Sequence, residues 1–409
     1  MAILRPFAAV RPDPAQAASV ASVPYDVVDT EEARALAAGN DRSFLRVVRP
    51  EIDLEEGTDP YDESVYQQGR TNLDRLIASR VLVQDDEPAL YLYRQKMGAH
   101  TQVGVVGCCS VDEYDADTIK KHETTRPEKE NDRTKHLLSL RAHAGPVFLT
   151  YRGEPTVDRM VREVIESTEP VYDFMAPDGI AHAVWRVVDS SPFERAFELV
   201  PSLYVADGHH RAASASRARA VLRDVQEAGG KGGEYDRFLA VLFPADQLRI
   251  LAYNRIVHDL AEHTTDELLS NLDAVFEIVE DAASIPPRRG HFSAYLGGRW
   301  YGLRAPRSAL ADPDPVASLD AAILQSTVLG PLLGISDPRT SKRIEFVGGI
   351  RGTTELQRRV DRRGSGIAFS LHPLSVDQLM AVADAGRVLP PKSTWFEPKL
   401  RSGLVIHLF

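Results

Sequence analysis

Leu203-Tyr204-Val205-Ala206-Asp207-Gly208-His209-His210-Arg211-Ala212-Ala213 contains two elements and the bend that joins them. The apolar run after Pro201 reads as a short strand, and Asp207-Gly208 breaks it. The Ala-rich stretch from Ala212 to Ala228 reads as a helix, closed by Gly229-Gly230-Lys231-Gly232-Gly233. A strand running through a glycine turn into a helix points unpaired backbone N–H groups and the positive end of the helix dipole at one spot. Gly208 has no Cβ, so an anion can approach the backbone there. His209, His210 and Arg211 add side-chain donors, and a guanidinium can grip phosphate with two parallel hydrogen bonds. Asp207 is a costly neighbour for phosphate unless it holds a metal ion or accepts a proton from the group attacking that phosphate. The cradle predicts phosphoryl transfer. The plainer alternative has Asp207 capping the helix while the histidines pair locally. A zinc site using both histidines is disfavoured, because adjacent residues at a helix start diverge by about 100°.

Outward from this bend, strands and helices alternate. Thr30 is the expected N-cap of a helix over Glu31 to Ala38, Arg42 to Val48 reads as a strand, and Tyr61 to Ala78 has apolar residues at helical spacing despite Gly69. Ala89 to Gln95, a turn at Met97-Gly98-Ala99, and the run ending at Cys109 read as a hairpin. Val147 to Tyr151 is a further expected strand. The mixture predicts a mixed α/β (α+β) fold. Three segments are expected: an N-terminal α/β region (1–200), a phosphate-binding core (201–290) and a C-terminal α/β region (291–409), with Pro286-Pro287 close to the second boundary.

Two more clusters carry chemistry. Thr125-Arg126-Pro127-Glu128 has the form of a capping box with Pro at the first helical position, so a helix is expected from Pro127 to Ala142. Along it Arg126, Lys129, Arg133 and His136 form one cationic stripe, with Glu128, Glu130 and Asp132 interleaved. Such a stripe is either a solvated, salt-bridged face or, at its N-terminal end, a contact to phosphate oxygens. In the second case Glu123 just upstream serves as metal ligand or general base. The other cluster is Leu389-Pro390-Pro391-Lys392-Ser393-Thr394-Trp395-Phe396-Glu397-Pro398-Lys399, after a helix that Ser375-Val376-Asp377-Gln378 starts and Gly386 stops. Its two prolines stiffen a loop that presents Lys392, Ser393, Thr394 and Lys399 beside two aromatics, with Lys392, Ser393 and Thr394 as further phosphate contacts.

Composition narrows the field. Of 409 residues, 48 are Lys or Arg and 59 are Asp or Glu, a net charge of −11, which disfavours a general nucleic-acid binder. The only cysteines, Cys108 and Cys109, are adjacent in an apolar run and read as buried small hydrophobes. No segment approaches the ~18 apolar residues that span a bilayer, and the N-terminus lacks a secretory apolar region. A cytoplasmic location is the expectation, with no membrane partner.

The stretches Arg5-Pro6-Phe7, Pro24-Tyr25-Asp26-Val27-Val28, His122-Glu123-Thr124-Thr125-Arg126-Pro127-Glu128-Lys129, Ala206-Asp207-Gly208-His209-His210-Arg211 and Pro390-Pro391-Lys392-Ser393-Thr394-Trp395-Phe396 together resemble the domain-of-unknown-function 1015 family of bacteria and archaea. The Asp-Gly-His-His-Arg element is also similar to the phosphate-binding motif of the ParB/sulfiredoxin superfamily, above all that of its free-serine kinases. The second resemblance implies a ParB/sulfiredoxin-like phosphate-binding core embedded in a larger chain. It assigns Gly208, His209, His210 and Arg211 to nucleotide phosphates and Asp207 to the substrate or Mg²⁺ side. The kinases' other catalytic acid aligns with no position here, which leaves Glu123 or Asp26 for that role. Sulfiredoxin chemistry is disfavoured because His209 stands where its cysteine would be.

The expected function is a Mg²⁺-dependent phosphotransferase that uses ATP or ADP and acts on the hydroxyl of a small metabolite, with free L-serine the first acceptor to try. Asp207, Glu123 and His209 are its candidate catalytic residues, and Asp207 and Glu123 its candidate metal ligands. Two alternatives stand beside it: a metal-dependent hydrolase using His122, Glu123, Asp207, His209 and His210, and a nucleotide-binding regulator without turnover.

Overall fold

Long apolar runs with few charges make strands that are buried on both faces, and this chain uses them to build one large sheet. Leu4–Arg5 (β1), Leu90–Met97 (β2), His100–Ser110 (β3), Ile119–Lys120 (β4), Val147–Tyr151 (β5), Tyr172–Met175 (β6), Ala181–Val187 (β7), Leu203–Asp207 (β8) and Arg237–Pro244 (β9) form nine strands in the order β4-β8-β5-β9-β3-β2-β7-β6, with β1 beside β3. The structure is a computed structural model that describes residues 2–225 and 232–409. It divides into two compact units, Met1–Leu248 with Pro398–Phe409 (unit 1) and Arg249–Glu397 (unit 2). These stand where the sequence suggests three segments divided at 200 and 290.

The mixed α/β class is as expected. The hairpin β2–β3 closes with Met97 opposite His100. Cys108 and Cys109 lie on β3, fully buried and unbridged, and burial pushes both thiols well up. In unit 1 the parallel pairs are β8 with β4 and β9 with β5, while β8 runs antiparallel to β5. Helix His209–Val225 leaves the end of β8 and packs against helix Pro127–Leu140, which also packs on helix Glu63–Ala78. The expected end of the first of these helices, with the glycine run beyond it, lies outside the described residues.

The strand expected over Arg42 to Val48 is instead a helical turn, Leu45–Val48. Phe44, Leu45, Val47 and Val48 are all buried and Arg46 is not, which is a helical rather than an alternating pattern. The helix before it is capped by Asp29 rather than Thr30. Gly69 does not weaken its helix: a Cβ there would sit 2.9 Å from Pro50 Cγ and 3.2 Å from the Val47 carbonyl oxygen, so glycine permits close packing. The helix expected to reach Ala142 stops at Leu140, because Arg141 turns left-handed and Ala142–His143 pairs with His407–Leu408.

In unit 2, Tyr253–Val257 (β10), Glu277–Val279 (β11), His291–Leu296 (β12), Arg299–Arg304 (β13), Ile344–Gly348 (β14) and Ile367–Leu371 (β15) form an antiparallel sheet, ordered β11-β13-β12-β15-β10-β14. Helix Val376–Asp384 starts at Ser375 with the capping box in place. Among the described residues, no helix is long and apolar enough to cross a membrane.

Candidate functional site

The bend is built by a register shift. Val205 on β8 faces Leu149 on β5, but Asp207 faces the very next residue, Phe148, so Ala206 is the extra residue of a bulge. A bulge re-aims the side chains that follow it, here Asp207. Gly208 then takes a φ of +97°, which an L side chain adopts only under strain, and its carbonyl accepts from Arg211 N–H (2.9 Å) and Ala212 N–H (3.0 Å). The helix therefore begins at His209, three residues before Ala212. The N–H groups of His209 and His210 are left with no intrahelical acceptor.

Each charged group of the bend has a partner in unit 1. Lys399 Nζ donates to Asp207 Oδ2 at 2.8 Å. Burial alone would raise the Asp207 carboxyl, but Lys399 and Arg211 hold it well below the usual carboxylate range. Arg211 donates through Nη1 to the Pro146 carbonyl (2.6 Å), and its Nη2 lies 3.4 Å from both carboxylate oxygens of Asp26. It also lies over the ring of Tyr25, whose hydroxyl burial pushes up to about 12. Arg211, Tyr25, Arg133, His136, Ser214 and Ser402 share the lining of one open cleft.

On the other side, His209 is buried, with Nδ1 3.7 Å from Glu123 Oε2, and its Nε2 faces the His122 backbone N–H at 3.5 Å. The His122 and His209 rings meet edge to face, with centroids 4.4 Å apart. Burial lowers the His209 pKa to about 4. Burial, and then the neighbouring His209, push His122 far down, so both rings are neutral at pH 7. Neither ring nitrogen of His122 has a hydrogen-bond partner. His122, Glu123 and His209 can each bring a ligand atom within 4.8 Å of the others. His210, also lowered by burial, accepts the backbone N–H of Arg126 at Nε2 (3.1 Å).

The structure thus gathers Asp207, Gly208, His209, His210, Arg211, Glu123 and the backbone of Arg126 around one turn. The Arg126 side chain is exposed, 3.8 Å from Glu128, and Lys129 donates to the Tyr61 hydroxyl at 2.7 Å. His136 is buried on the Val47 carbonyl and Arg133 pairs with Asp132, so the rest of the stripe is internal structure. Lys392, Ser393 and Thr394 belong to unit 2, where Ser393 Oγ donates to the Pro390 carbonyl (2.6 Å). The sequence displays Lys399 on the Pro-Pro loop but does not pair it with Asp207. Two signals were there: Asp207 beside a phosphate needs a cation, and Lys399 ends the last motif. Asp26, one of the two acids the resemblance leaves for the second catalytic role, pairs with Arg211.

The chain belongs to the family described as "Protein of unknown function (DUF1015)", whose model matches residues 4–322. No curated protein matches it. Among solved structures it is similar to SbnI with a C-terminal truncation from Staphylococcus aureus, at 13% identity over 74% of this chain and 87% of that one, with a TM-score of 0.39. It is also similar to a mutant free serine kinase in complex with ADP, at 14% identity over 74% of this chain and 91% of that one, TM-score 0.36. A conserved hypothetical protein from Pyrococcus furiosus gives 14%, 73%, 93% and 0.34 for the same measures.

Proposed function

We propose that this protein is a nucleotide-dependent phosphotransferase acting on the hydroxyl of a small metabolite, with its phosphate cradle at Asp207–Arg211. The observation that carries the reading is the Gly208 turn at φ +97°, opening a helix between Lys399–Asp207 on one side and Glu123–His209 on the other. The terminal phosphates lie against the N–H groups of His209 and His210, with Arg211 and Lys399 neutralising them. The acceptor oxygen attacks the terminal phosphorus, a new O–P bond forms, and the P–O bond to the nucleotide breaks. Asp207 is kept ionised by Lys399 and Arg211 and is therefore a weak base. Glu123, half-exposed beside His209, takes the hydroxyl proton. Mg²⁺ would be held by Asp207 together with phosphate oxygens, and would screen charge on the transferring group.

Phosphorus NMR of the full chain with ATP or ADP, Mg²⁺ and a pool of hydroxylated metabolites that includes L-serine tests this reading. A new phosphoester resonance is expected, absent with Glu123→Gln. Nucleotide binding without any new phosphoester would make the protein a regulator, and no nucleotide binding at all would end the reading.

One observation favours a metal-dependent hydrolase. The two unpartnered nitrogens of His122 beside Glu123 and His209 suit an ion that accepts nitrogen ligands, such as zinc or iron, better than Mg²⁺. Metal analysis after dialysis separates the readings, since a stoichiometric retained transition metal belongs to the hydrolase.

A further inference from the structure

Unit 2 contains a buried cation with no counter-ion. Arg255, at the middle of β10, is 3% exposed. Its guanidinium donates only to carbonyl oxygens: Tyr253 through Nη1, and Pro391 (3.4 Å) and Lys392 (3.2 Å) through Nη2. The Phe346 ring lies 5.1 Å away, and among the described residues no carboxylate pairs with Arg255. Burial lowers its pKa to about 10, which leaves it charged at neutral pH. Burying an ion without a partner is strongly unfavourable, so such a group normally meets an anion from somewhere.

A small open cleft lies beside it, lined by Arg255, Arg289, Asp320, His372, Tyr253 and Ser393 among others. Arg289 is likewise held only by carbonyls, those of Leu310 (3.3 Å) and Ser318 (2.8 Å). His372 presents a buried Nδ1 with no hydrogen-bond partner. Asp320 accepts from Gly290 N–H through Oδ1 (2.9 Å), and burial raises its carboxyl to about 6. The lining therefore has two guanidiniums, an imidazole and a single carboxylate.

We propose that this cleft is a binding site for a small carboxylic acid that also carries an amino or hydroxyl group. The carboxylate sits on Arg255 and Arg289, and the second group donates to Asp320. Two guanidiniums provide the planar, bidentate geometry a carboxylate fits. The lone acid distinguishes this class from inorganic phosphate, which would bring further negative charge against Asp320 and offers it little to bind. The site gives the Pro390-Pro391-Lys392-Ser393 loop a role that the phosphate reading does not: its backbone holds Arg255 in place and Ser393 borders the ligand. None of this depends on the nucleotide reading of unit 1.

The test is titration calorimetry of the full chain with L-serine, L-lactate, succinate and inorganic phosphate. Saturable binding of L-serine or L-lactate is expected, weakened about tenfold or more by Arg289→Met and by Arg255→Met. Asp320→Asn should weaken both of these ligands while changing succinate least. Arg358→Met, at an exposed arginine of unit 2 outside the lining, should leave the affinity as it was. Arg255→Met loosens the loop and can fail to fold. Arg289→Met then decides the matter, with its circular dichroism and melting curve required to match the parent. The proposal is overturned by no saturable binding up to about 10 mM, by binding of phosphate alone, or by affinities that Arg289→Met leaves unchanged.

Discussion

Arg211 in unit 1 and Arg255 in unit 2 are both largely withdrawn from water, and they solve the problem of a buried charge differently. Arg211 has a carbonyl and a carboxylate, Asp26, and sits in a turn where Asp207 is matched by Lys399 and a neutral His209 faces Glu123. Arg255 has carbonyls alone. In the first arrangement Asp207–Lys399 and Arg211–Asp26 are each a neutral pair, so a polyanion entering the turn must draw Lys399 and Arg211 partly away from their carboxylates, and that competition sets its affinity. The second arrangement has a standing positive charge and gains directly from any anion that arrives.

The widest expected gap between the units is in acid. His122, His136, His143, His182 and His209, all in unit 1, are buried and neutral, with burial lowering His136 and His182 to about 3 and His209 to about 4. A depressed histidine pKa means that the unfolded chain binds the proton first. The stability these rings provide is complete above about pH 6.5 and is lost as pH falls toward their folded values, by up to about 1.4 kcal/mol per pH unit for each ring. Asp320 in unit 2 is raised, so its contribution has the opposite sign: between about pH 6 and 4 the folded form binds the proton first and unit 2 gains as pH falls. His291 is lowered and offsets part of that gain. Peptide-resolved hydrogen exchange should show unit 1 losing protection by about pH 4.5 while unit 2 keeps its own. Loss of both units at one pH would contradict the comparison.

Charge removal is the next largest effect. Lys399→Met strands Asp207 and should cost unit 1 about 3 kcal/mol near neutrality. Because the Asp207 carboxyl is held low in the native state, this deficit should shrink as pH falls below about 4, where the unfolded carboxylate is protonated anyway. Arg255→Met removes a charge that has no partner and should cost unit 2 less than Lys399→Met costs unit 1, despite three abandoned carbonyls. Urea unfolding followed separately for the two units reads both. An equal or larger cost for Arg255→Met would mean that Arg255 is a structural clamp rather than a waiting cation.

Gly208→Ala comes below these. The added methyl meets Val147 Cα at 3.5 Å and Arg211 Nη1 at 3.6 Å, ordinary contacts, so its cost is the strain of φ +97°, about 1–3 kcal/mol. If nucleotides bind the turn, their affinity should fall more than stability does, because the methyl stands where the phosphate approaches. A loss of stability with affinity unchanged would move the nucleotide elsewhere.

What could be read from the chain divides along the same line as local and distant contacts. The turn was legible because an apolar run, a glycine and an alanine-rich stretch lie next to one another, and strand, bend and helix start follow from neighbours alone. Its partners were not: Lys399 is 192 residues from Asp207, Asp26 is 185 from Arg211, and no spacing rule connects them. The bulge at Ala206 depends on the register with β5 and leaves no mark on the sequence either. Arg255 is harder still, since a strand arginine flanked by Asn254 and Ile256 reads as a surface cation, and its burial is decided by the loop at Pro391-Lys392 closing over it.

The smallest effect compares two helix starts that look alike as sequence. Ser375-Val376-Asp377-Gln378 forms its capping box: Ser375 Oγ accepts from Gln378 N–H at 3.2 Å, and Gln378 Oε1 accepts from Ser375 N–H at 3.0 Å. Thr125-Arg126-Pro127-Glu128 does not. There the N-cap is Arg126, with no side-chain cap, and Pro127 takes the first helical position, where its missing N–H is no loss. Arg126 N–H, the donor that a back-folded acid would satisfy, bonds His210 Nε2 instead, and the Thr125 hydroxyl is turned to Glu130. Ser375→Ala should therefore cost unit 2 about 1 kcal/mol, seen as a lower urea midpoint at constant slope. Thr125→Ala should cost unit 1 less than that, since it breaks a side-chain contact and not a cap. His210→Ala removes the acceptor that replaced the box, and should loosen the Pro127 helix start more than Thr125→Ala does, read as faster exchange of the Arg126 amide. If Thr125→Ala proves the costlier of the two threonine and histidine changes, the helix start is capped from its own sequence, and the phosphate turn has no hold on it through His210.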